Sequence, residues 1–244
     1  MKKHYIDENF FENIDSEAKA YILGFIYSDG CIYVHPSAYC LTFTQLKIDE
    51  DIILFIKNEM KSDYPLCESR QKKNDKIKIK FYAYSKKIFD DLIKLGVTPR
   101  KSLTLRFPSF LSETLMPHFI RGYFDGDGCI WNGKRKKMIV KDSSNKNGAR
   151  ERIVHNVKFT FTGNNMFLID LQDYLCKNIG LSKNKLNYSK AKNPNNTTSD
   201  NVCTMEYSGR GNIKKLYDFL YGNATIYGQR KYKKFNEILC ANSE

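Results

Sequence analysis

The sequence predicts an α+β protein made of two copies of one α-β-β-α-β-β-α unit, related by a pseudo-two-fold axis. The main observation is a phrase that occurs twice: residues 22–30 read ILGFIYSDG, and residues 120–128 read IRGYFDGDG. Each copy is an apolar run ending in Asp-Gly, and each continues with Cys-Ile and an aromatic residue. Self-similarity at a fixed offset is the signature of an internal repeat.

Further short matches indicate that the repeat extends along the chain. The offset between copies grows from 98 residues at the phrase to 130 at the last match, as insertions in the second copy would cause. The largest insertion is basic and lies at about 132–155. We place the first unit at 1–105 and the second at 106–244. The matches, in order, are TFT at 42–44 and 160–162, YS at 84–85 and 207–208, and RK at 100–101 and 230–231.

Local signals predict the elements of the first unit. Ser16 is a suitable N-cap and Glu17 suits the first turn of a helix, which we expect to end at Gly30. Alternation in residues 76–84 places the lysines of that segment on one face of a strand. The predicted elements are a helix over 16–29, two strands within 31–46, a helix over 49–61, a hairpin over 66–85 and a helix over 86–96 closed by Gly96.

The second unit is expected to repeat that order after a linker at 99–112, which contains two prolines. Apolar residues at helical spacing mark its helices, and alternating segments mark its strands. The predicted elements are a helix over 113–127, a hairpin over 129–163, a helix over 165–179 ending before Gly180, a hairpin over 185–209, and helices over 211–221 and 229–241.

The charge balance points to a polyanionic partner. The chain has 244 residues, enough for a sizeable core, and carries a formal charge of +13 from 40 Lys and Arg against 27 Asp and Glu. No apolar run approaches the roughly 20 residues of a membrane span, and the N-terminus has no apolar signal core. Nucleic acid is therefore favoured over a membrane, in a cytoplasmic location, although the charge could also serve solubility alone.

Small residues recur on one face of the two repeated helices. Gly24 and Ser28 are four residues apart and share a face, and Gly122 and Gly126 occupy the matching positions in the second copy. Residues of this size let two helix backbones approach closely. We therefore expect the two repeated helices to pack against each other.

That packing would bring Asp29 and Asp127 together, each at the C-terminal end of its helix. The helix dipole is already negative there, so the carboxylates repel each other and need a cation. Hard oxygen ligands favour Mg²⁺, and bound Mg²⁺ beside a basic surface suits phosphodiester hydrolysis. Taken singly, each Asp-Gly is more simply a turn between helix and strand; the duplication favours the site.

The two phrases resemble the LAGLIDADG motif of homing endonucleases, in the single-chain, pseudo-symmetric form and in the bacterial and phage branch. Asp29 and Asp127 stand at the eighth position of the motif, which binds metal in that family. The sixth position is Tyr27 in the first copy and Asp125 in the second. The resemblance implies a saddle of two antiparallel four-stranded sheets whose concave faces lie on DNA.

The resemblance also implies an activity. It predicts a monomeric, Mg²⁺-dependent, site-specific double-strand DNA endonuclease that cuts across the minor groove, leaves short 3′ overhangs and supports intron homing as a mobile element. Two or three Mg²⁺ ions would be shared at the central site, with Ser28 and Gly126 at further metal-binding positions. The target would be long and asymmetric, and the gene bacterial or phage-encoded, with an organellar origin left open.

Three polar residues are given supporting roles by the same resemblance. Lys101 and Lys231 match the lysines that approach the metal site from each half and assist the attacking water or the transition state. Gln45 matches a residue that orients solvent near the metals, whereas Gly163 stands at the equivalent place in the second unit. The lysines could instead contact phosphates or solvent only.

Basic residues on and between the strands are the candidates for DNA binding. Loop lysines would contact phosphates, which carry no sequence information, while residues on strands could reach base edges in the major groove. Any single lysine could equally be a solvated strand edge that prevents aggregation. The candidates are Arg70, Gln71, Lys72, Lys73, Lys76, Lys78, Lys80, Lys134, Arg135, Lys136, Lys137, Arg152, Lys158 and Lys190.

Two other functions remain open for a chain of this kind. One is an intron RNA-binding maturase, which would keep the fold with RNA as a partner. The other is a catalytically silent DNA-binding protein. Intact acids and lysines argue against the latter, because a protein that only binds DNA has no need to hold two carboxylates beside its phosphates.

Overall fold

The computed structural model describes residues 4–70, 72, 74–139, 150–188 and 202–240, with the backbone alone for 134–139 and 150–155. Two units follow each other along the chain, in the predicted order of elements. The first contains α1 (Glu17–Ser28), β1 (Gly30–His35), β2 (Ala38–Leu46), α2 (Glu50–Glu59), β3 (Leu66–Ser69), β4 (Lys78–Tyr84) and α3 (Lys86–Lys94).

The second unit repeats the first and adds a helix at its end. Its first hairpin is much longer than that of the first unit. It contains α4 (Met116–Asp127), β5 (Gly128–Ile139), β6 (Arg150–Asn164), α5 (Asn165–Ile179), β7 (Asn187–Tyr188), β8 (Val202–Ser208), α6 (Arg210–Tyr221) and α7 (Gln229–Cys240). Both sheets are antiparallel, in the orders β1-β2-β4-β3 and β5-β6-β8-β7, which confirms the predicted pair of four-stranded sheets.

Each sheet packs one face against its own repeated helix. On β4, Ile79 and Phe81 are buried while Lys78 on the opposite face is exposed, as period-two alternation requires. Equivalent ring pairs join helix to sheet in the two units: Phe25 lies 6.1 Å from Phe43, and Tyr123 lies 6.3 Å from Phe161. The repeated sequence therefore gives a repeated core.

Helices α1 and α4 pack against each other at the centre, where two glycines allow the close approach. A Cβ atom on Gly24 would lie 2.0 Å from the carbonyl oxygen of Phe119, and one on Gly122 would lie 2.0 Å from that of Tyr21. These distances are far below any that a real Cβ atom shows, so larger residues would force the backbones apart. The crossing places the C-terminal ends of both helices together.

The role predicted for Gly30 is wrong in one respect. Helix α1 ends at Ser28, and Gly30 opens β1 without the left-handed backbone that makes glycine useful after a helix. A Cβ atom there would lie 2.7 Å from the Cα of Ile26. Glycine is needed because the strand leaves so close to the helix. The predictions for Gly96 and Gly180 are confirmed, at φ values of +86° and +63°.

Among the described helices, none is both long enough and apolar enough to span a bilayer.

Candidate active site at the helix crossing

The site lies where α1 and α4 end. The backbone N–H of Asp29 donates to the carbonyl of Phe25 and closes α1. A Cβ atom on Gly126 would lie 1.9 Å from Ser28 Oγ and 3.0 Å from Asp29 Oδ2. The carboxylate of Asp29 therefore reaches the last turn of α4, immediately beside Asp127.

The two carboxyl groups perturb each other. Burial raises the pKa of Asp29, against the opposing effects of a hydrogen bond from Gln45 and of nearby lysines. Burial and then the charge of Asp29 raise the pKa of Asp127 to about 6. Lys101 and Lys231 oppose both rises in pKa but do not cancel them. The pair is poised to receive a further cation.

Two buried lysines cap the helices that carry these acids. Lys101 Nζ donates to the carbonyl of Ser28 at 2.8 Å. Lys231 Nζ donates to the carbonyls of Phe124, Asp125 and Gly126 at 2.7, 2.8 and 3.0 Å. The last carbonyls of a helix lack an intrahelical partner, although that of Phe124 also accepts from the backbone N–H of Gly128. A cation there also suits the helix dipole. Burial lowers the pKa of both lysines.

The two halves differ beside their acids. Gln45 Nε2 donates to Asp29 Oδ2 at 2.5 Å. At Gly163, the position that matches Gln45, a Cβ atom would lie 2.4 Å from the hydroxyl of Tyr123. That hydroxyl instead donates to the carbonyl of Thr162 at 2.7 Å. Tyr123 therefore fills the space that a side chain at 163 would need.

The donors at the crossing suit a hard divalent cation. Asp29 and Asp127 supply carboxylate oxygens, whereas the carbonyls of Ser28 and Gly126, the further predicted metal-binding positions, accept hydrogen bonds from Lys101 and Lys231. Within the described ranges, no three side chains of the His, Cys, Asp and Glu types form a metal-binding group. An ion held by the two acids would thus keep coordination positions open for other oxygen ligands, as Mg²⁺ commonly does.

Part of the predicted DNA-binding set lies together. Arg70, Lys76, Lys78 and Lys80 line one surface groove with Thr44, and Lys72 is exposed nearby. Gln71, Lys73 and Lys190 lie outside the described residues.

The rest of the predicted set lies on the second sheet. Lys158 forms an ion pair with Glu206 at 2.7 Å, so a DNA phosphate would have to compete for it. For the insertion, the backbone pairs Lys134 with His155 and Lys137 with Arg152. Arg135 and Lys136 lie between these positions on the same strand.

Sequence reasoning missed a segment that crosses back to the first unit, here called the C-terminal strap (residues 225–231). Glu17 accepts hydrogen bonds from the backbone N–H and the hydroxyl of Thr225, both at 2.9 Å. Arg230 forms a two-pronged ion pair with Asp49, at 2.7 and 2.9 Å. Partners this far apart in sequence leave no periodic signal.

Comparisons with known proteins identify the fold. No family model matches the chain, and no curated protein matches it. Solved structures do match. A DNA-bound structure of the LAGLIDADG homing endonuclease I-LtrWI is 11% identical, covers 92% of this chain and 90% of its own, and has a TM-score of 0.58.

Two structures of I-SmaMI match to a similar extent. One, bound to cleaved DNA, is 14% identical over 94% of this chain and 89% of its own, with a TM-score of 0.57. The other, bound to uncleaved DNA with calcium ions, is 14% identical over 93% of this chain and 91% of its own, with a TM-score of 0.55. At such identities the likeness establishes the fold: this chain has the single-chain, two-motif LAGLIDADG fold. Its place in a bacterial or phage branch stays a prediction.

Proposed function

We propose that this protein is a site-specific double-strand DNA endonuclease that acts as a monomer with Mg²⁺. The observation that carries the proposal is the meeting of Asp29 and Asp127, one from each unit, at the crossing of α1 and α4. Burial, together with the nearby charge of Asp29, raises the pKa of Asp127 to about 6. Two repelling carboxylates lower stability unless a cation joins them, so their presence favours a catalytic use.

The structural neighbours support the same activity. They are LAGLIDADG homing endonucleases, and the matched structures hold target DNA or cleaved DNA. The calcium in one of them supports the use of divalent ions in proteins of this fold. The +13 charge of this chain and the basic groove on its first sheet fit a duplex partner.

The residues at the crossing would have different roles in the reaction. Asp29 and Asp127 would hold the ions, which when bound supply activated water and stabilisation of the leaving oxygen. Gln45 orients the carboxylate of Asp29. Lys101 and Lys231 place positive charge next to the site, where it stabilises the negative charge that develops on a phosphate. Both units contribute, so one chain suffices.

The finer features of the proposal follow the resemblance. We expect the cut to cross the minor groove, to leave short 3′ overhangs and to serve intron homing. The long hairpin of the second unit differs from the short hairpin of the first, so the two halves present different surfaces to DNA. An asymmetric target follows from that difference.

A plasmid assay tests the proposal. The plasmid carries the joined sequences that flank the gene, and Mg²⁺ should cause it to be linearised. Asp127→Asn should abolish cleavage while DNA affinity in Ca²⁺ stays near that of the parent. Asp173→Asn, an exposed acid on α5, is the matched control and should cut like the parent.

The outcomes separate the rival functions. Full cleavage by Asp127→Asn would contradict the two-acid site. Tight, specific binding without cleavage by the parent protein would favour a silent DNA-binding protein. Preference for the folded intron RNA over duplex DNA in the same binding assay would favour a maturase.

A further inference from the structure

Asp125 is the most completely buried acid at the centre of the molecule, and the proposed chemistry does not use it. Its Oδ2 accepts a hydrogen bond from the hydroxyl of Tyr21 at 2.8 Å and from the backbone N–H of Gly228 at 2.7 Å. Gly228 belongs to the C-terminal strap and precedes Lys231 by three residues. Asp125 thus joins the last turn of α4 to the start of α7.

A carboxylate in this place is unfavourable for a purely structural element. The side chain of Asp125 is buried, and its Oδ1 has no hydrogen-bond partner among the described residues. A buried carboxylate with an unsatisfied oxygen is less favourable than a well-packed apolar side chain would be. What the carboxylate provides is a fixed position for the backbone at Gly228.

The first unit uses a different side chain at the same motif position. Tyr27, which matches Asp125 in the repeat, donates its hydroxyl to the carbonyl of Leu95 at 2.5 Å. Leu95 lies at the end of α3, where the chain turns at Gly96 towards Lys101. Two unrelated side chains therefore hold the segment that leads to the buried lysine in each half, at Leu95 before Lys101 and at Gly228 before Lys231.

We infer that the sixth position of each motif is a positioning residue for the lysine of its own half. Asp125 acts on Lys231 through Gly228, and Tyr27 acts on Lys101 through Leu95. The catalytic consequence rests on the proposed function, whereas the positional consequence does not.

The surroundings of each lysine show what is positioned. Lys231 holds three carbonyls of α4 within 3.0 Å, which requires the start of α7 to stay close to that helix. Lys101 holds the carbonyl of Ser28 at 2.8 Å, and its neighbour Arg100 adopts a left-handed backbone with φ of 58°. Small movements of either segment would withdraw the ammonium group from the helix end.

Lysine labelling with acetic anhydride, read residue by residue by mass spectrometry, tests the inference on the metal-free protein. Asp125→Ala should speed modification of Lys231 about tenfold, the order expected when a buried hydrogen bond that limits local opening is removed. Lys101 should react as in the parent. Tyr27→Phe should give the reverse pattern, with Lys101 faster and Lys231 unchanged.

Asp125→Asn is the conservative control, because its side-chain oxygen can still accept from both Gly228 and Tyr21 while its amide takes the place of the unpartnered Oδ1. It should keep Lys231 protected, and a variant that fails to restore protection would overturn the hydrogen-bond account. If Asp125→Ala and Tyr27→Phe each accelerate modification of both lysines equally, or accelerate neither, the inference is overturned. If Asp125→Ala is unfolded at the labelling temperature, the labelling pattern of Tyr27→Phe alone tests the inference.

Cleavage kinetics connect the inference to the proposed activity. Asp125→Ala should lower kcat about tenfold with KM for DNA unchanged, since a misplaced group slows the chemical step more than binding. If the parent cuts no DNA, the proposed function fails, and the labelling pattern still decides the positional inference.

Discussion

The two halves of the central site share a backbone but not a set of supporting side chains. In the first half, Gln45 donates to Asp29, and Lys101 holds one carbonyl of α1. In the second half, Gly163 replaces the glutamine, and Lys231 holds three carbonyls of α4. The acids and the lysines are duplicated, whereas the residues that orient them have diverged.

This contrast shows which parts of the repeat are constrained by symmetry. The glycines at the crossing are symmetric because each one meets the backbone of the other helix at the same distance, 2.0 Å from an added Cβ atom. The hydrogen bonds of Gln45 to Asp29 and of Tyr27 to Leu95 stay within the first unit, so the second unit can carry other side chains at the matching positions. An asymmetric site can therefore form around a symmetric axis.

Substitution of a glycine at the crossing should have the largest effect, and the effect should be the same whichever of the two helices carries the substitution. Gly122→Val and Gly24→Val each place a side chain against backbone. Overpacking of this kind costs roughly 1–3 kcal/mol, and the melting temperature falls by about 2–4 °C for each kcal/mol in a chain of this size. Displacement of Asp29 from Asp127 should slow cleavage about a hundredfold.

A thermal melt beside a plasmid-cleavage time course checks both effects. Gly211→Ala is the matched control, because a Cβ atom there meets nothing within 4 Å; it should melt no lower than the parent and cut as fast. If Gly122→Val behaves like this control, the two helices do not need their close approach, and the shared site fails with it.

The unequal hairpins predict an effect on DNA affinity. Replacing Lys134, Arg135, Lys136 and Lys137 by Ala should weaken binding to all sequences alike, if these residues meet phosphates. The slope of log affinity against log salt should flatten by about 0.9 for each phosphate that is no longer neutralised. A changed sequence preference with an unchanged slope would instead show that they read bases.

The one-sided glutamine predicts unequal cutting of the two strands. Gln45→Ala removes a hydrogen bond to a charged group, so one strand should be cut about tenfold more slowly and nicked circles should accumulate. Asp173→Asn, the exposed control on α5, should produce no excess of nicks. Equal slowing of both strands would show that Gln45 acts on the site as a whole.

The burial of Asp127 and its repulsion by Asp29 predict a smaller, pH-dependent change in stability. The folded protein raises the pKa of Asp127 from 3.8 to about 6, so ionisation of this group lowers stability as pH rises through that interval. In EDTA, Asp127→Asn should therefore raise the melting temperature at pH 8 and leave it unchanged near pH 4. A gain of equal size at both pH values would exclude ionisation of Asp127 as its cause.

Much of this architecture was predictable from local pattern. The duplicated phrase predicted two packed helices, and alternation such as that of residues 76–84 predicted the strands. The hydrogen bonds that orient the site were not predictable. Gly228 and Asp125 lie 103 residues apart, and no spacing rule links them. Gly30 was assigned to the wrong role because its sequence context is the same whether a glycine is needed for a left-handed turn or for lack of a side chain.

The C-terminal strap affects when the central site can be completed during synthesis of the chain. Thr225 binds Glu17, a residue made 208 positions earlier, and Lys231 follows a few residues later. During synthesis both acids and Lys101 exist long before the strap emerges from the ribosome. The second lysine joins the site only when nearly the whole described chain has been made. Non-local closure of this kind is slow relative to local folding, so a nascent chain would pass most of its synthesis with an incomplete site.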